Sequence, residues 1–382
     1  PEYIMIMASI IGIDAFLSIP FSYLRLQGKA FRFALIKIIN IAVNILFNFF
    51  FLVFCPYYLE SHPDSFIQHV YYQDFGVGYA FLSNFLATLV TLFLLFPEIL
   101  KAKLNFNLKL LGRILRYSLP LLIVGLAGMI NEVSDKVLFK YLVAVPKETI
   151  NSQNFILDQL GIYGANYKRA VLMTIFIQMF RYAAEPFFFS HAKDKNSKEL
   201  YASIMKYFVI FCLSIFLMVT LFIDIFKYFI DVDYRVGLHI VPVVLFSNLL
   251  LGVLFNLSIW YKLTDKTRFG AIIAIIGAIV TISLNIMLVP QFGYTGAAWA
   301  HFFCNFTMVI ISYYLSRKYY RIPYNLKMIG IYIFLSLAIF FINKLMPYSS
   351  NTIHFIINSI LFTSFLVIVF IFERKFIVKN LT

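Results

Sequence analysis

Two charged residues stand one helical turn apart in an otherwise apolar stretch, MTIFIQMFRYAAEPFFFS, at residues 173–190. They are Arg181 and Glu185, and Gln178 shares their helical face because residues three, four or seven apart lie on one side of a helix. A guanidinium can bind a phosphate through two parallel hydrogen bonds, and a neighbouring carboxylate can hold the guanidinium in place. The spacing therefore indicates a site for an anionic group.

Shifting the helix along its axis does not remove the charges from the apolar region. Only eleven uncharged residues separate Arg181 from the basic pair at 168–169, and about 20 are needed to span hydrocarbon. A charge at the centre of a membrane helix costs about 2.5–3.5 kcal/mol, so it usually faces the bundle interior or a water-filled cavity. An i,i+4 ion pair that only stabilises this helix contributes about 0.2–0.5 kcal/mol and is the alternative explanation.

Polar residues also share one face on other predicted helices. Lys37, Asn40 and Asn44 do so in the second helix, while Asp14 lies in the first and Asn131 in the fourth. With the three residues above, they are the candidate substrate-binding residues. Taken singly, Lys37 can extend its amine to the membrane interface, and asparagines can form hydrogen bonds between helices. Their joint occurrence on several helices predicts a shared aqueous cavity.

The composition places these residues in a membrane protein. Of the 382 residues, 62% are hydrophobic and 13% charged, against about 45–50% and about 25% in soluble domains. The sequence predicts an all-α polytopic integral membrane protein with about 11 transmembrane helices. The predicted spans are 3–23, 33–54, 76–97, 117–138, 162–190, 202–223, 238–260, 269–289, 295–315, 327–344 and 353–372.

Basic residues alternate between the two sets of loops. The segments 25–32, 101–116, 193–198, 262–268, 317–327 and 374–379 contain 21 of the 32 Lys and Arg residues. The loop 55–75, in the other set, contains none. Because basic residues are retained on the cytoplasmic side, the C-terminus is predicted to be cytoplasmic.

The sequence gives little indication of a metal site, nucleic-acid binding or enzymatic catalysis. Cys55, Cys212 and Cys304 have no spacing typical of a disulfide framework or a metal site, and no metal or cofactor is expected. The net charge of +14 follows the topology signal, so we expect no nucleic-acid partner. The longest loops, 55–75 and 139–161, carry no paired carboxylates and no His/Cys cluster. We therefore expect that the protein is not an enzyme.

Two pairs of segments indicate an internal repeat. RLQGKAFRF at 25–33 is similar to KLTDKTRF at 262–269, and FGVGYAFLSNF at 75–85 is similar to FGYTGAAWAHFFCNF at 292–306. Spans one to three thus recur as spans seven to nine, and three more helices precede the second copy. This pattern predicts two pseudo-repeated lobes, the first of them incomplete, followed by a C-terminal helix pair.

The repeat sets the predicted domain boundaries. They are an incomplete N-terminal lobe of three helices at 1–97, a six-helix C-terminal lobe at 98–316, and the terminal helix pair with a tail at 317–382. Since the first copy begins at residue 1, we expect that the chain lacks roughly the first three helices of its N-terminal lobe.

Three longer segments carry a family resemblance. They are SYLRLQGKAFRFALIKIIN at 22–40, RYSLPLLIVGLAGMINEVSDKVLFKYL at 116–142 and GIYGANYKRAVLMTIFIQMFRYAAEPFFFSHAKD at 161–194. With the two-lobe architecture, the chain resembles the multidrug/oligosaccharidyl-lipid/polysaccharide (MOP) exporter superfamily. Within it, the chain resembles the polysaccharide biosynthesis or O-antigen flippase (Wzx-type) branch.

The resemblance implies a flippase in the bacterial cytoplasmic membrane. Its expected substrate is a polyprenyl-diphosphate-linked oligosaccharide for cell-surface polysaccharide biosynthesis. Membrane lipids and the polysaccharide polymerase machinery are the expected partners. Two alternatives stay open, a cation-coupled multidrug exporter of the same superfamily and a membrane polysaccharide polymerase or ligase. A net positive cavity favours the flippase, and a net negative one favours the exporter.

Overall fold

The computed structural model describes residues 2–62, 65, 67, 71–72, 75–101, 107–144, 152–229, 231–346 and 351–381. Every regular element in these ranges is helical, so the predicted all-α fold class is confirmed. The α-helices are α1 (Glu2–Leu26), α2 (Ala30–Phe49), α3 (Cys55–Ser61), α4 (Gly78–Leu100), α5 (Leu108–Leu142), α6 (Ser152–Tyr167), α7 (Val171–Ser190), α8 (Ser197–Leu221), α9 (Ile223–Phe226), α10 (Val241–Leu257), α11 (Ile259–Leu263), α12 (Thr267–Tyr319), α13 (Leu326–Leu345) and α14 (Asn351–Leu381).

Short helical turns of other types join several of these helices. A π-helical turn at Phe50–Phe54 connects α2 to α3. One 3₁₀ turn, Lys168–Ala170, lies between α6 and α7. A longer 3₁₀ segment, Val232–Ile240, leads into α10.

Nine helical segments in the described part of the chain are long and apolar enough to cross a membrane. One of them is α12, whose 53 residues change direction at Gly293, where φ is 55°. Cys304 Sγ donates a hydrogen bond to Gly277 O at 3.3 Å, so the two halves of α12 run back along each other. They correspond to the predicted spans 269–289 and 295–315.

The predicted span at 162–190 is the one that those nine segments omit. It consists of the end of α6, the 3₁₀ turn and all of α7. Gln178, Arg181 and Glu185 lower the hydropathy of α7, which is not among the nine segments. The polar residues that suggest a function therefore also weaken its signal as a membrane helix.

The chain forms two compact units, Pro1–Asn107 and Leu108–Thr382. In the first unit α4 packs against both α1 and α2, around Leu17, Leu24 and Leu95. In the second unit α5 packs along α12, and α8 contacts α10, α13 and α14. The predicted division at residues 97 and 316 stays a prediction.

Large apolar side chains are exposed along these helices. Ile4, Ile19 and Phe31 have 72%, 71% and 81% of their surface exposed. In water this surface would favour aggregation, whereas in a bilayer it is the surface that faces lipid. The exposure agrees with a multi-pass membrane protein.

The backbone repeats the same local geometry at both pairs of similar segments. Gly28 and Asp265 occupy matching positions and both have positive φ, 71° and 55°. The amide after each of them donates to the carbonyl five residues before it, at 3.0 and 2.9 Å, a helix C-cap that ends α1 and α11. Gly76 and Gly293, each following a phenylalanine, have φ of 42° and 55°. These matches support the internal repeat.

Candidate functional site

Helix α7 carries Arg181 near its middle. The guanidinium carbon lies 4.8 Å from the centroid of the Phe255 ring on α10, within the range of a cation–π contact. Ser190 ends α7 nine residues further on, so Arg181 lies about 14 Å along the helix from that end. Arg181 is exposed, and its guanidinium lies over this ring.

Glu185 forms an ion pair with a residue on another helix. Its Oε1 accepts from Nζ of Lys262 on α11 at 2.7 Å, and the two side chains are 37% and 16% exposed. The i,i+4 spacing predicts Arg181 as the residue that Glu185 holds. The structure instead shows that Glu185 links α7 to α11, at the first residue of the similar segment 262–269.

One small cleft brings these charges together. Arg181, Glu185 and Lys262 line it with Phe255 and Asn256, and the remaining lining residues are Phe180, Ala184, Phe188, Ser258 and Ile259. With two cations and one carboxylate, the charged groups of the cleft sum to one positive charge. Such a site attracts anions.

Gln178, the third predicted residue of α7, is half-buried. One turn earlier on the same face, Thr174 Oγ1 accepts a hydrogen bond from Asn248 Nδ2 of α10 at 3.3 Å. The polar face of α7 thus contacts α10 at Thr174. Further along the same face, Arg181 and Glu185 line the cleft.

The asparagines of α2 contact α4 inside the first unit. Asn40 Nδ2 donates to Thr91 Oγ1 at 2.9 Å, and Asn44 Nδ2 lies 3.5 Å from Asn84 Oδ1. These bonds cross between helices, as hydrogen bonds between packed membrane helices do. Their geometry matches the helix-packing alternative that the sequence left open.

Lys37 and Asp14 lie on accessible faces of the same unit. Lys37 Nζ is 4.4 Å from the centroid of the Phe21 ring, and both Lys37 and Asp14 are exposed. Neither is in the unit that contains Arg181. Their role in substrate binding stays a prediction.

Asn131 lies in packed surroundings between α5 and α12. It is 8% exposed, its Oδ1 accepts from Thr281 Oγ1 at 3.2 Å, and its Nδ2 is 3.8 Å from Met308 Sδ. Thr281 and Met308 belong to the two antiparallel halves of α12. Asn131 thus ties α5 to both halves.

Sequence reasoning missed three charged groups that the structure makes prominent. The sequence identifies Lys262 only as one of the basic residues of a loop. Glu98, with a side chain 1% exposed, pairs with Arg32 and Lys101, and Arg169 is 6% exposed. Lys262 and Glu98 each have a partner more than 60 residues away in the chain, Glu185 and Arg32, and helical spacing does not predict such partners. Among the described residues, no group of three His, Cys, Asp or Glu side chains could hold a metal ion.

Together the fold and the cleft define a multi-pass α-helical membrane protein with a cationic cleft beside α7. No protein-family model matches the chain, and no curated protein sequence matches it. Its structure is similar to that of the lipid II flippase MurJ in an inward closed conformation. The TM-score is 0.58 at 17% sequence identity, over 98% of this chain and 75% of the MurJ chain. At this identity the similarity establishes the fold.

Proposed function

We propose that the protein is a transporter of the MOP superfamily and that it flips a polyprenyl-diphosphate-linked oligosaccharide across the bacterial cytoplasmic membrane. The observation that carries this proposal is the cationic cleft around Arg181. A diphosphate needs cations at membrane depth, and a guanidinium can bind it through two hydrogen bonds. The similarity to a flippase of a lipid-linked substrate supports the same class of cargo.

The sign of the charge favours this cargo over the alternatives. A cation exporter needs carboxylates to outnumber basic groups in its site, whereas Arg181 and Lys262 outnumber Glu185 here. A polymerase or ligase needs an acid–base pair or a nucleophile with its base. The cleft offers two cations and a carboxylate that is already paired. We therefore place the Wzx-type flippase first, with the glycan destined for cell-surface polysaccharide.

Transport would proceed by alternating access. Repeated lobes that rock about a central site are typical of such transporters, and the matching backbone turns at Gly28 and Asp265 support a repeat. The lipid tail would remain in the bilayer while the head group crosses. On this proposal the C-terminus and the loops rich in Lys and Arg are cytoplasmic.

The test uses membrane vesicles from cells that produce the protein. A fluorescent polyprenyl diphosphate disaccharide is incorporated, and an impermeant reductant quenches the label on the outer leaflet. Faster loss of the protected fraction than in vesicles without the protein supports the proposal. Efflux of a lipophilic cation with no effect on the glycolipid would instead establish the multidrug exporter.

A further inference from the structure

Arg169 is a buried cation that has no hydrogen-bond partner among the described residues. It lies in the 3₁₀ turn between α6 and α7 and is 6% exposed. Its Nε, Nη1 and Nη2 atoms are all buried and make no hydrogen bond to any described residue. Burial of an uncompensated guanidinium is costly, and such groups are normally paired or hydrogen-bonded. The unused donors indicate that a ligand is their partner.

A broad cavity opens beside this side chain. Gly161, Gly164 and Ala165 form one wall on α6, and Lys168 follows one turn later on the same face. A Cβ atom at Gly164 would meet nothing within 4 Å, so the glycine leaves open space. The remaining lining residues are Arg169, Val171, Leu172, Phe226, Asp231 and Tyr234.

Specific contacts hold the opposite wall in place. Asn166 Nδ2 on α6 donates to Tyr234 O in the Val232–Ile240 segment at 2.8 Å. A Cβ atom at Gly237 would lie 2.4 Å from that same Nδ2, so the glycine permits the close approach. The two walls are thus fixed against each other, and the cavity is part of the packed structure of the second unit.

The cavity is electropositive. Lys168 and Arg169 line it. Asp231 also lines it, but its Oδ1 accepts from the backbone N of Val232 at 2.6 Å. Two cations against one capping carboxylate create a positive potential that attracts anions.

The position along the helix places this cavity near a membrane boundary. Arg169 precedes Ser190, the end of α7, by 21 residues, which corresponds to about 30 Å, the thickness of the hydrocarbon core. Arg181 lies twelve residues from Arg169, or roughly 18 Å. The two sites are therefore separate.

We propose that the cavity at the α6–α7 turn binds a phosphate-type oxyanion at one membrane boundary, through the guanidinium of Arg169 with the support of Lys168. A phosphate accepts two parallel hydrogen bonds from a guanidinium, which uses the donors that the chain leaves open. The same chemistry is presented by a lipid phosphate head group and by free phosphate. The inference concerns a second site and does not depend on the cargo of the central cleft.

The experiment measures thermal unfolding of the full chain in a maltoside detergent, whose sugar head group contains no phosphate. The added probes are inorganic phosphate and a short-chain phosphatidic acid, with the matching diacylglycerol as the control without phosphate. Stabilisation by both phosphate compounds identifies a general phosphate site. Stabilisation by phosphatidic acid alone identifies a lipid site. Stabilisation by neither, or equal stabilisation by the diacylglycerol, overturns the proposal.

Variants separate ligand binding from a structural role. Arg169→Met should unfold at the same or a higher temperature than the wild type without ligand, because it removes a buried uncompensated charge. It should weaken phosphate binding by about tenfold to a hundredfold. Gly164→Leu should fill the cavity and weaken binding with no change of charge. Arg113→Met, an exposed position at the start of α5, is the control. Wild-type binding by both Arg169→Met and Gly164→Leu would contradict the assignment.

Discussion

Glu185 Oε1 and Lys262 Nζ lie 2.7 Å apart and join α7 to α11. The pair leaves the Arg181 guanidinium against the Phe255 ring, with no ion-pair partner among the described residues. Lys262 and Arg181 thus have different roles in the cleft. Lys262 neutralises the carboxylate, and Arg181 supplies the net positive charge of the cleft.

The Glu185–Lys262 pair predicts a measurable coupling. Glu185→Gln and Lys262→Gln should each lower the unfolding temperature, because each leaves one charge in a half-buried site. The double variant should recover part of the loss. Since the two side chains are 37% and 16% exposed, the coupling should be about 0.5–1 kcal/mol. Lys262→Gln combined with Glu199→Gln, an exposed acidic residue of α8, is the control and should be additive. Additivity of Glu185→Gln with Lys262→Gln would show that the pair does not stabilise the protein.

The sequence predicts the helices well because hydropathy is a local property. Ten of the eleven predicted spans coincide with long apolar helical segments once the two halves of α12 are counted separately. It does not predict side-chain partners, which depend on how helices pack. The residue four positions from Arg181 pairs with Lys262, 77 residues further along the chain.

In the candidate site, too, the sequence predicts which residues share a helix face but not what that face contacts. The stripe of Gln178, Arg181 and Glu185 could be found by helical spacing, and all three lie on α7. Asn40 and Asn131 have the same kind of spacing, yet they form contacts between helices. Periodicity identifies a polar face and cannot distinguish a face toward water from a face toward another helix.

Topology can be tested with introduced cysteines, because Cys55, Cys212 and Cys304 are all buried and should give a low background. Glu60→Cys and Lys195→Cys place thiols at exposed positions in loops of the two opposite sets. An impermeant maleimide should label the first in intact cells and the second only after permeabilisation. The reverse pattern would invert the proposed orientation.

A buried ion pair joins three helices of the second unit. Lys206 of α8 pairs with Glu373 of α14, with side chains 6% and 9% exposed, and Tyr332 Oη of α13 donates to Glu373 Oε1 at 2.7 Å. Lys206→Met or Glu373→Leu alone should cost about 3–5 kcal/mol, because each leaves a buried charge uncompensated. The double variant should be near wild type.

The measurement for this network is the free energy of unfolding in detergent. Lys193→Met, at an exposed position before α8, is the matched control and should change it little. If the double variant loses as much free energy of unfolding as the single variants, the ion pair between Lys206 and Glu373 does not stabilise the protein.

The matching turns at Gly28 and Asp265 predict opposite effects of substitution. Asp265→Gly should stabilise the protein by about 1 kcal/mol and Gly28→Ala should destabilise it by a similar amount, because positive φ strains residues that have a Cβ atom. Gly112→Ala, inside α5 where a Cβ atom meets nothing within 4 Å, is the control and should stabilise the helix. Thermal unfolding measures all three. Stabilisation by Gly28→Ala would show that the turn does not require positive φ.

Arg181 is the residue on which the proposed transport depends. A charge at membrane depth costs about 2.5–3.5 kcal/mol, and a cation–π contact such as that with Phe255 returns about 0.5–2 kcal/mol. At membrane depth, packing alone would not account for the arginine, whereas the diphosphate binding that we propose would. Arg181→Ala should abolish glycolipid flipping with near-normal abundance in the membrane. Arg181→Lys should retain only part of the rate, because an ammonium lacks the two-pronged geometry.

The control for Arg181→Ala is the same substitution at another arginine. Arg268→Ala removes an exposed arginine near the start of α12 and should leave the flipping rate unchanged. Arg181→Met separates cargo binding from stability, because it removes the charge and retains an unbranched side chain against Phe255. If Arg181→Met is stable and still flips the glycolipid at the wild-type rate, the cleft does not bind the diphosphate. If it is stable and inactive, the arginine is present for the cargo, because the helix folds without it.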